Sequence, residues 1–283
     1  MREQLEVAIV GAGFGGLCMA IRLLEEGIRD FVILEKDSEV GGTWRDNSYP
    51  GAACDVQSHF YSYSFEPRAD WTERYAGWRE IQRYILDVVE RRGLRPFIRF
   101  GQQVDSAGFD TGSGRWTVTT KAGGRFVAKH LVLATGPLHV PNVPAIPGLE
   151  TFTGRVFHSA RWDHGYDLAG KRIASIGTGA SAIQYCPAIA PKAGRLHVFQ
   201  RTPAWVIPRD TRRYSERAQR RYARFPWLRR LHRARLYWTN ESRLVGLLHP
   251  SLTRLPEALA QRHLRNSVAD PALVAALTPD YTL

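Results

Sequence analysis

Cysteine is scarce in this chain. The three in 283 residues, Cys18, Cys54 and Cys186, are far apart and form no C-x-x-C pair. That spacing excludes a clustered zinc site, a dithiol redox centre and a disulfide-built scaffold, and fits reduced thiols. Long apolar runs are missing too, with nothing approaching the ~18 consecutive apolar residues of a membrane span. Residues 1–6 are charged and lead straight into a short strand. We therefore expect no cleaved leader, no membrane span and a cytoplasmic protein. Hydrophobic residues at 44% and charged residues at 23% exclude wholesale disorder. Acids are under-supplied, 27 against 39 Lys plus Arg, leaving a net charge of +12. Such a charge admits nucleic acid, a membrane surface or an anionic ligand. Its distribution decides: residues 209–235 hold eleven arginines against Asp210 and Glu216, so +9 of the +12 lies in one segment. The aromatics among those arginines, Trp227, Tyr237 and Trp238, raise base stacking, but an amphipathic helix accounts for the same pattern, and no nucleic-acid partner is expected.

Glycine, by contrast, is concentrated in telling places. A short apolar strand at residues 7–10 runs into Gly11-Ala12-Gly13-Phe14-Gly15-Gly16, then an amphipathic run at 17–26, then a strand at 31–34 that ends on Glu35. Strand, glycine turn, helix, strand and acid in this order mark a dinucleotide-binding βαβ unit. Gly11 permits the tight turn, Gly13 lets backbone approach a pyrophosphate, and Gly16 lets helix and sheet pack closely. The helix N-terminus offers N–H groups and positive dipole to phosphates. Glu35 is placed to accept hydrogen bonds from an adenosine ribose.

Residues 77–92 repeat apolar Trp78, Ile81, Ile85, Val88 and Val89 at helical spacing, with Gly93 as C-terminal cap. Residues 103–109, 115–120 and 125–128 read as a three-stranded antiparallel meander, followed by a separate buried strand at 130–136. The proline-rich stretch 137–147 marks a connector. Beyond it the first signal returns: a strand at 172–176, Gly177-Thr178-Gly179-Ala180-Ser181-Ala182, a helix, and a strand at 196–199. Two such turns imply two dinucleotides, typically a flavin and a nicotinamide. Glu35 lies 24 residues after Gly11, and the residue 24 after Gly177 is Arg201. A carboxylate suits a free ribose 2′-hydroxyl and a guanidinium suits a 2′-phosphate, which assigns FAD to the first site and NADPH to the second. Everything from Arg209 on reads as helical, punctuated by Pro226, Pro250, Pro256 and Pro271. The expected fold is α/β, with two Rossmann-like dinucleotide-binding domains and an α-helical insertion. The expected division is 1–145 (FAD, N-terminal part), 146–208 (linker and first part of the NADPH domain) and 209–283 (arginine-rich helical insertion).

Between the two turns stands Phe152-Thr153-Gly154-Arg155-Val156-Phe157-His158-Ser159-Ala160-Arg161-Trp162-Asp163. This matches F-x-G-x-x-x-H-x-x-x-W-[PD], and the chain resembles the flavoprotein Baeyer–Villiger monooxygenases, class B flavin-containing monooxygenases, along nearly its whole length. Gly41-Gly42-Thr43-Trp44, Tyr49-Pro50-Gly51-Ala52-Ala53-Cys54-Asp55, Tyr61-Ser62-Tyr63-Ser64-Phe65, Ala134-Thr135-Gly136 and Phe199-Gln200-Arg201-Thr202-Pro203 look like the same family. The resemblance implies FAD held by Gly11, Gly13, Phe14, Gly15, Gly16 and Glu35, with Gly42, Thr43, Trp44 and Gly136 near it and Asp55 beside the reacting face. It implies NADPH held by Gly177, Thr178, Gly179, Ala180, Ser181, Arg201 and Thr202. His158 would couple cofactor movement to turnover. The implied reaction uses NADPH, O2 and a C4a-peroxyflavin to insert one oxygen atom into a ketone, giving an ester or lactone.

The same resemblance places a Gly-x-Lys-Arg segment directly after a stretch like residues 277–283, where this chain stops. That segment would supply the arginine that pairs with Asp55, so we expect Asp55 to lack its partner, the sheets to leave edges open, and the chain to be a truncated product or half of an enzyme completed by a separate C-terminal half. Amine or sulfide oxidation is the neighbouring alternative, although Trp162-Asp163 favours the Baeyer–Villiger branch. A non-catalytic nucleotide-binding remnant is the alternative from another class. Dithiol reductase chemistry falls with the missing cysteine pair.

Overall fold

The computed structural model describes residues 3–248 and 253–282 of the chain. Backbone contacts divide it into two compact units: Met1–Tyr49 with Trp78–Asp163, and Pro50–Gly77 with His164–Leu283. This division does not follow the expected boundaries after 145 and 208. Residues 50–77 join the second unit because their backbone is tied there, with Arg74 N–H donating to Arg212 O at 2.9 Å and Tyr214 N–H to Thr72 O at 2.9 Å.

In the first unit, β1 (Glu3–Val10) leads into α1 (Phe14–Glu25) and β2 (Phe31–Leu34), followed by the single turn α2 (Thr43–Asp46) and by α3 (Trp78–Arg91). Then come β3 (Ile98–Arg99), β4 (Val104–Asp110), β5 (Arg115–Thr120) and β6 (Arg125–Leu133). The six strands form one sheet in the order β3-β2-β1-β6-β5-β4. β1 is central and pairs in parallel with both β2 and β6. Its crossover helix α1 buries Leu17, Ala20 and Ile21, and α3 buries Ile81, Tyr84, Ile85, Val88 and Val89 at the helical spacing that marked it. One expectation is corrected. The third meander strand and the buried strand after it are a single element, β6, which pairs antiparallel with β5 on one edge and parallel with β1 on the other. The charge that broke the pattern, Lys129, is exposed and pairs with Glu6 at 3.5 Å.

The second unit holds β7 (Arg172–Ile176), α4 (Ala182–Ile189) and β8 (Arg195–Phe199), the two strands pairing in parallel. α5 (Glu216–Arg224), α6 (Pro226–Leu248), α7 (Arg254–Ser267) and α8 (Pro271–Leu277) follow. Pro226 and Pro271 open their helices, where a missing N–H costs nothing, and Pro256 lies in the first turn of α7. Pro250 lies outside the described residues. The helical expectation fails for residues 209–215, where Arg212, Arg213 and Tyr214 pair with residues 72–74 in place of helical bonds.

Candidate nucleotide-binding sites

The first glycine turn sits where β1 meets α1. Gly11 has φ +101, and a Cβ on it would lie 2.6 Å from Ala134 O. A Cβ on Gly16 would lie 1.9 Å from Gly11 O, so the turn closes onto itself only with glycine there. Gly13 is open by comparison, its imagined Cβ meeting only Gly42 Cα at 3.9 Å. No side chain caps α1 and its first turn, which includes Phe14, Gly15 and Gly16, carries no acid. The positive end of the helix dipole is thus uncompensated, as an anion site requires.

Glu35 directly follows β2 and is 3% exposed. Its Oε2 accepts the Ala12 N–H at 2.8 Å; its Oε1 accepts the Asp37 N–H at 3.1 Å and an Arg45 N–H at 3.2 Å. The loop after β2 folds back over the glycine turn, with Gly41 N–H donating to Ala12 O at 3.0 Å and Gly42 in the left-handed region at φ +53. Thr43 and buried Trp44 open α2. Gly136, φ +72, follows β6 with open space around it. Sequence reasoning passed over Arg45, whose signal was a cation inside the acid-rich stretch 35–46, shared only with Lys36. Burial opposes its charge, but Asp46, Glu35 and Asp37 outweigh burial and raise its pKa. For Asp37, burial works upward, while the Lys36 hydrogen bond and the charges of Arg45 and Lys36 bring its pKa below the ordinary value. A tight turn, an uncapped helix and a buried acid at the strand end together fit an adenine dinucleotide.

The second turn repeats the geometry. Gly177 has φ +94 and its N–H donates to Phe199 O at 2.8 Å, while Gly179 has nothing within 4 Å of an added Cβ. Thr178, Ala180 and Ser181 carry the chain into α4, whose N-terminus also lacks a side-chain cap and an acid. Arg201 and Thr202 are exposed directly after β8. Arg201 pairs with no carboxylate among the described residues, leaving its guanidinium available to an anion. A cavity of about 180 Å³ adjoins the turn, with Thr178, Ile183, Gln200, Trp205 and Leu264 in its wall.

Asp55, in the second unit, is exposed, and its neighbours are groups other than the Gly-x-Lys-Arg arginine expected to pair with it. Gln184 Nε2 lies 3.3 Å and an Arg209 nitrogen 3.6 Å from its Oδ1. The Gln184 amide also accepts the Ala53 N–H at 3.1 Å and donates to Ala53 O at 3.0 Å, tying α4 to the loop that carries Asp55. Arg209 donates to Cys54 O at 2.8 Å and lies 4.3 Å from the centre of the Tyr75 ring. Both residues escaped the sequence reading because only folding brings positions 184 and 209 beside 55. Burial, above all, pushes the Cys54 thiol up to about 11, so it is no nucleophile here.

His158, in the first unit, starts a short turn at Ser159–Arg161, and its Nδ1 accepts the Ala160 N–H at 3.1 Å. Arg155 pairs with Asp163 at 2.7 Å, and the rings of Phe157 and Trp162 meet edge-on at 5.1 Å. Each of these contacts joins a specified position of the motif, His158, Asp163 or Trp162, to an unspecified neighbour in the same segment.

Comparison with known proteins gives these features a context. A family model described as flavin-binding monooxygenase-like matches residues 4–228. A Baeyer–Villiger monooxygenase of Streptomyces coelicolor is 50% identical over 284 residues, covering 100% of this chain and 54% of the relative. Among solved structures, an oxidized steroid monooxygenase bound to NADP superposes with a TM-score of 0.85 at 36% identity, over 98% of this chain and 60% of that one. OTEMO in complex with FAD and NADP gives 0.86 at 26% identity, over 99% and 61%. The chain spans about half the length of the curated relatives it matches.

Proposed function

The chain belongs to the flavin-binding monooxygenase-like family, and from that premise we propose that it is the cofactor-binding part of a Baeyer–Villiger monooxygenase, using FAD, NADPH and O2 to convert a ketone to an ester or lactone. The observation that carries this reading is the chemical asymmetry of two otherwise similar β-turn-α-β sites. The first ends on buried Glu35, suited to a ribose hydroxyl, and the second on exposed Arg201, suited to a 2′-phosphate.

In the first site, the open Gly13 backbone and the uncapped N-terminus of α1 receive the pyrophosphate, and Glu35 takes the adenosine ribose. FAD held there would supply the redox chemistry, hydride acceptance from NADPH and activation of O2. In the second site, Gly177 to Ser181 and the N-terminus of α4 hold a pyrophosphate, while Arg201 and Thr202 select NADPH over NADH. Asp55 contributes a carboxylate held in place by Gln184 and Arg209. His158 shapes the linker turn through which cofactor movement would pass. No helix among the described residues is long and apolar enough to cross a membrane. A cytoplasmic setting and the absence of a nucleic-acid partner belong to the same proposal; within the arginine-rich segment, Arg233 is used internally, donating to His59 O at 2.9 Å.

The test is cofactor discrimination followed by product analysis. Arg201→Ala should weaken NADPH binding by about 10- to 100-fold, the range for charge-assisted hydrogen bonds, while leaving NADH binding nearly unchanged. Equal affinity of the unaltered chain for the two nucleotides would remove the NADPH assignment. Sulfoxide from a thioether with no ester from a ketone would move the reading to the sulfide-oxidising alternative.

A further inference from the structure

The geometry points to Arg45 as the positioning residue of the FAD site, acting through Glu35 and never touching the cofactor itself. The inference rests on the flavin reading of that site. A guanidinium has five N–H donors, and every one of Arg45's is used inside the protein. Nε donates to Asp46 Oδ1 at 3.0 Å, and one terminal nitrogen donates to Glu35 Oε1 at 3.2 Å and Glu39 O at 2.6 Å. The other terminal nitrogen donates to Asp37 Oδ2 at 2.5 Å and Asp46 Oδ1 at 2.8 Å. No donor remains for a phosphate, so Arg45 is not a direct phosphate ligand.

Its role follows from charge and from lone pairs. Glu35, Asp37, Glu39 and Asp46 fall within twelve residues of one another, on a loop that folds over the anion-binding turn. Lys36 and Arg95 offset Asp37 and Glu39, with contacts of 2.7 Å each. Among the described residues Arg45 alone forms an ion pair with Glu35. Without it a buried carboxylate would stand uncompensated beside the site of a doubly charged pyrophosphate, costing affinity by repulsion. The lone pairs set orientation as well. Oε1 already accepts from Asp37 and Arg45, whereas Oε2 accepts only from Ala12, so Oε2 is the atom with capacity for a ribose hydroxyl.

The experiment is a double-mutant cycle read by flavin fluorescence on the 283-residue chain, with folding checked by circular dichroism. Arg45→Met should raise the Kd for FAD by about 10- to 100-fold, as expected for lost charge-assisted hydrogen bonds. In a Glu35→Gln background the same change should have little effect. FMN, which lacks the adenosine half, should bind the unaltered chain and Arg45→Met alike. Arg45→Lys, keeping the charge but not the fork, should recover part of the loss and keeps the test open if Arg45→Met does not fold. Undiminished FAD affinity in both Arg45 variants, additive effects in the cycle, or an equal loss for FMN would overturn the inference alone. Failure of the unaltered chain to take up FAD would instead overturn the flavin reading and this inference with it.

Discussion

His59 is 3% exposed, with its ring packed against Tyr214, Tyr222 and His232 at centroid distances of 4.6 to 5.2 Å. Its Nε2 is buried without a hydrogen-bond partner. Burial first, then the charges of His232, Arg229 and Arg233, lower its pKa from 6.5 to about 3. A histidine forced neutral in the folded state takes up a proton when the chain unfolds anywhere between those two values. Its contribution to stability is therefore complete above pH 6.5 and is lost as pH falls toward 3. Between about pH 7 and about pH 5 that loss amounts to roughly 2 kcal/mol, and lowered His232 adds to it in the same direction. Denaturant midpoints should fall over this range, and His59→Phe, which keeps a ring in the cluster, should flatten the fall. A variant as acid-sensitive as the unaltered chain would place the effect elsewhere.

At the level of elements, the two neighbouring glycines at the head of α1 carry unequal constraints. A Cβ at Gly16 would stand 1.9 Å from a backbone oxygen and 3.3 Å from Ile9 Cγ2, whereas at Gly15 its nearest neighbour is Ala134 Cβ at an ordinary 3.8 Å. Gly16→Ala should therefore destabilise the first unit by about 1–3 kcal/mol, the usual cost of overpacking, and Gly15→Ala should leave the denaturant midpoint close to its original value. Equal midpoints for the two variants would show that the turn can relax. The βαβ order was legible because strand, glycine turn and acid are local and fixed in spacing; β2 and β5 lie where the residue pattern puts them. The continuity of β6 was not legible, because Lys129 interrupts the apolar pattern while the strand runs on, paired with β5 and β1 before Lys129 and with β1 after it. The extended run at 209–215 was hidden for a related reason. Arginine is a good helix former, and nothing in its neighbours announces that residues 72–74 offer competing hydrogen bonds. Arg45 could be suspected from its acidic surroundings, but Arg209 and Gln184 meet Asp55 only through tertiary structure.

Across the whole molecule, apolar burial is uneven. Strands β1 and β2 of the first unit are covered: Ala8, Ile9, Val32, Ile33 and Leu34 are at most 2% exposed. The parallel pair β7–β8 is not, with Ile176 at 57%, Val198 at 48% and Phe199 at 57%. Parallel strands are ordinarily buried on both faces, and a two-stranded sheet has little stability of its own. Both nucleotide sites use the same local motif, so the motif cannot be what separates them in stability; the covering of the sheet is. Local opening should therefore cost less at the second site than at the first. Hydrogen–deuterium exchange followed peptide by peptide should show β1, β2 and the β1-paired length of β6 protected far longer than β7 and β8. NADPH should slow exchange mainly in peptides covering 172–202, since a ligand that binds only the closed form stabilises it by mass action. Protection of β7 equal to that of β1 without nucleotide would show that the exposed apolar face is covered in solution, and self-association measured by sedimentation would then identify a second copy as the cover.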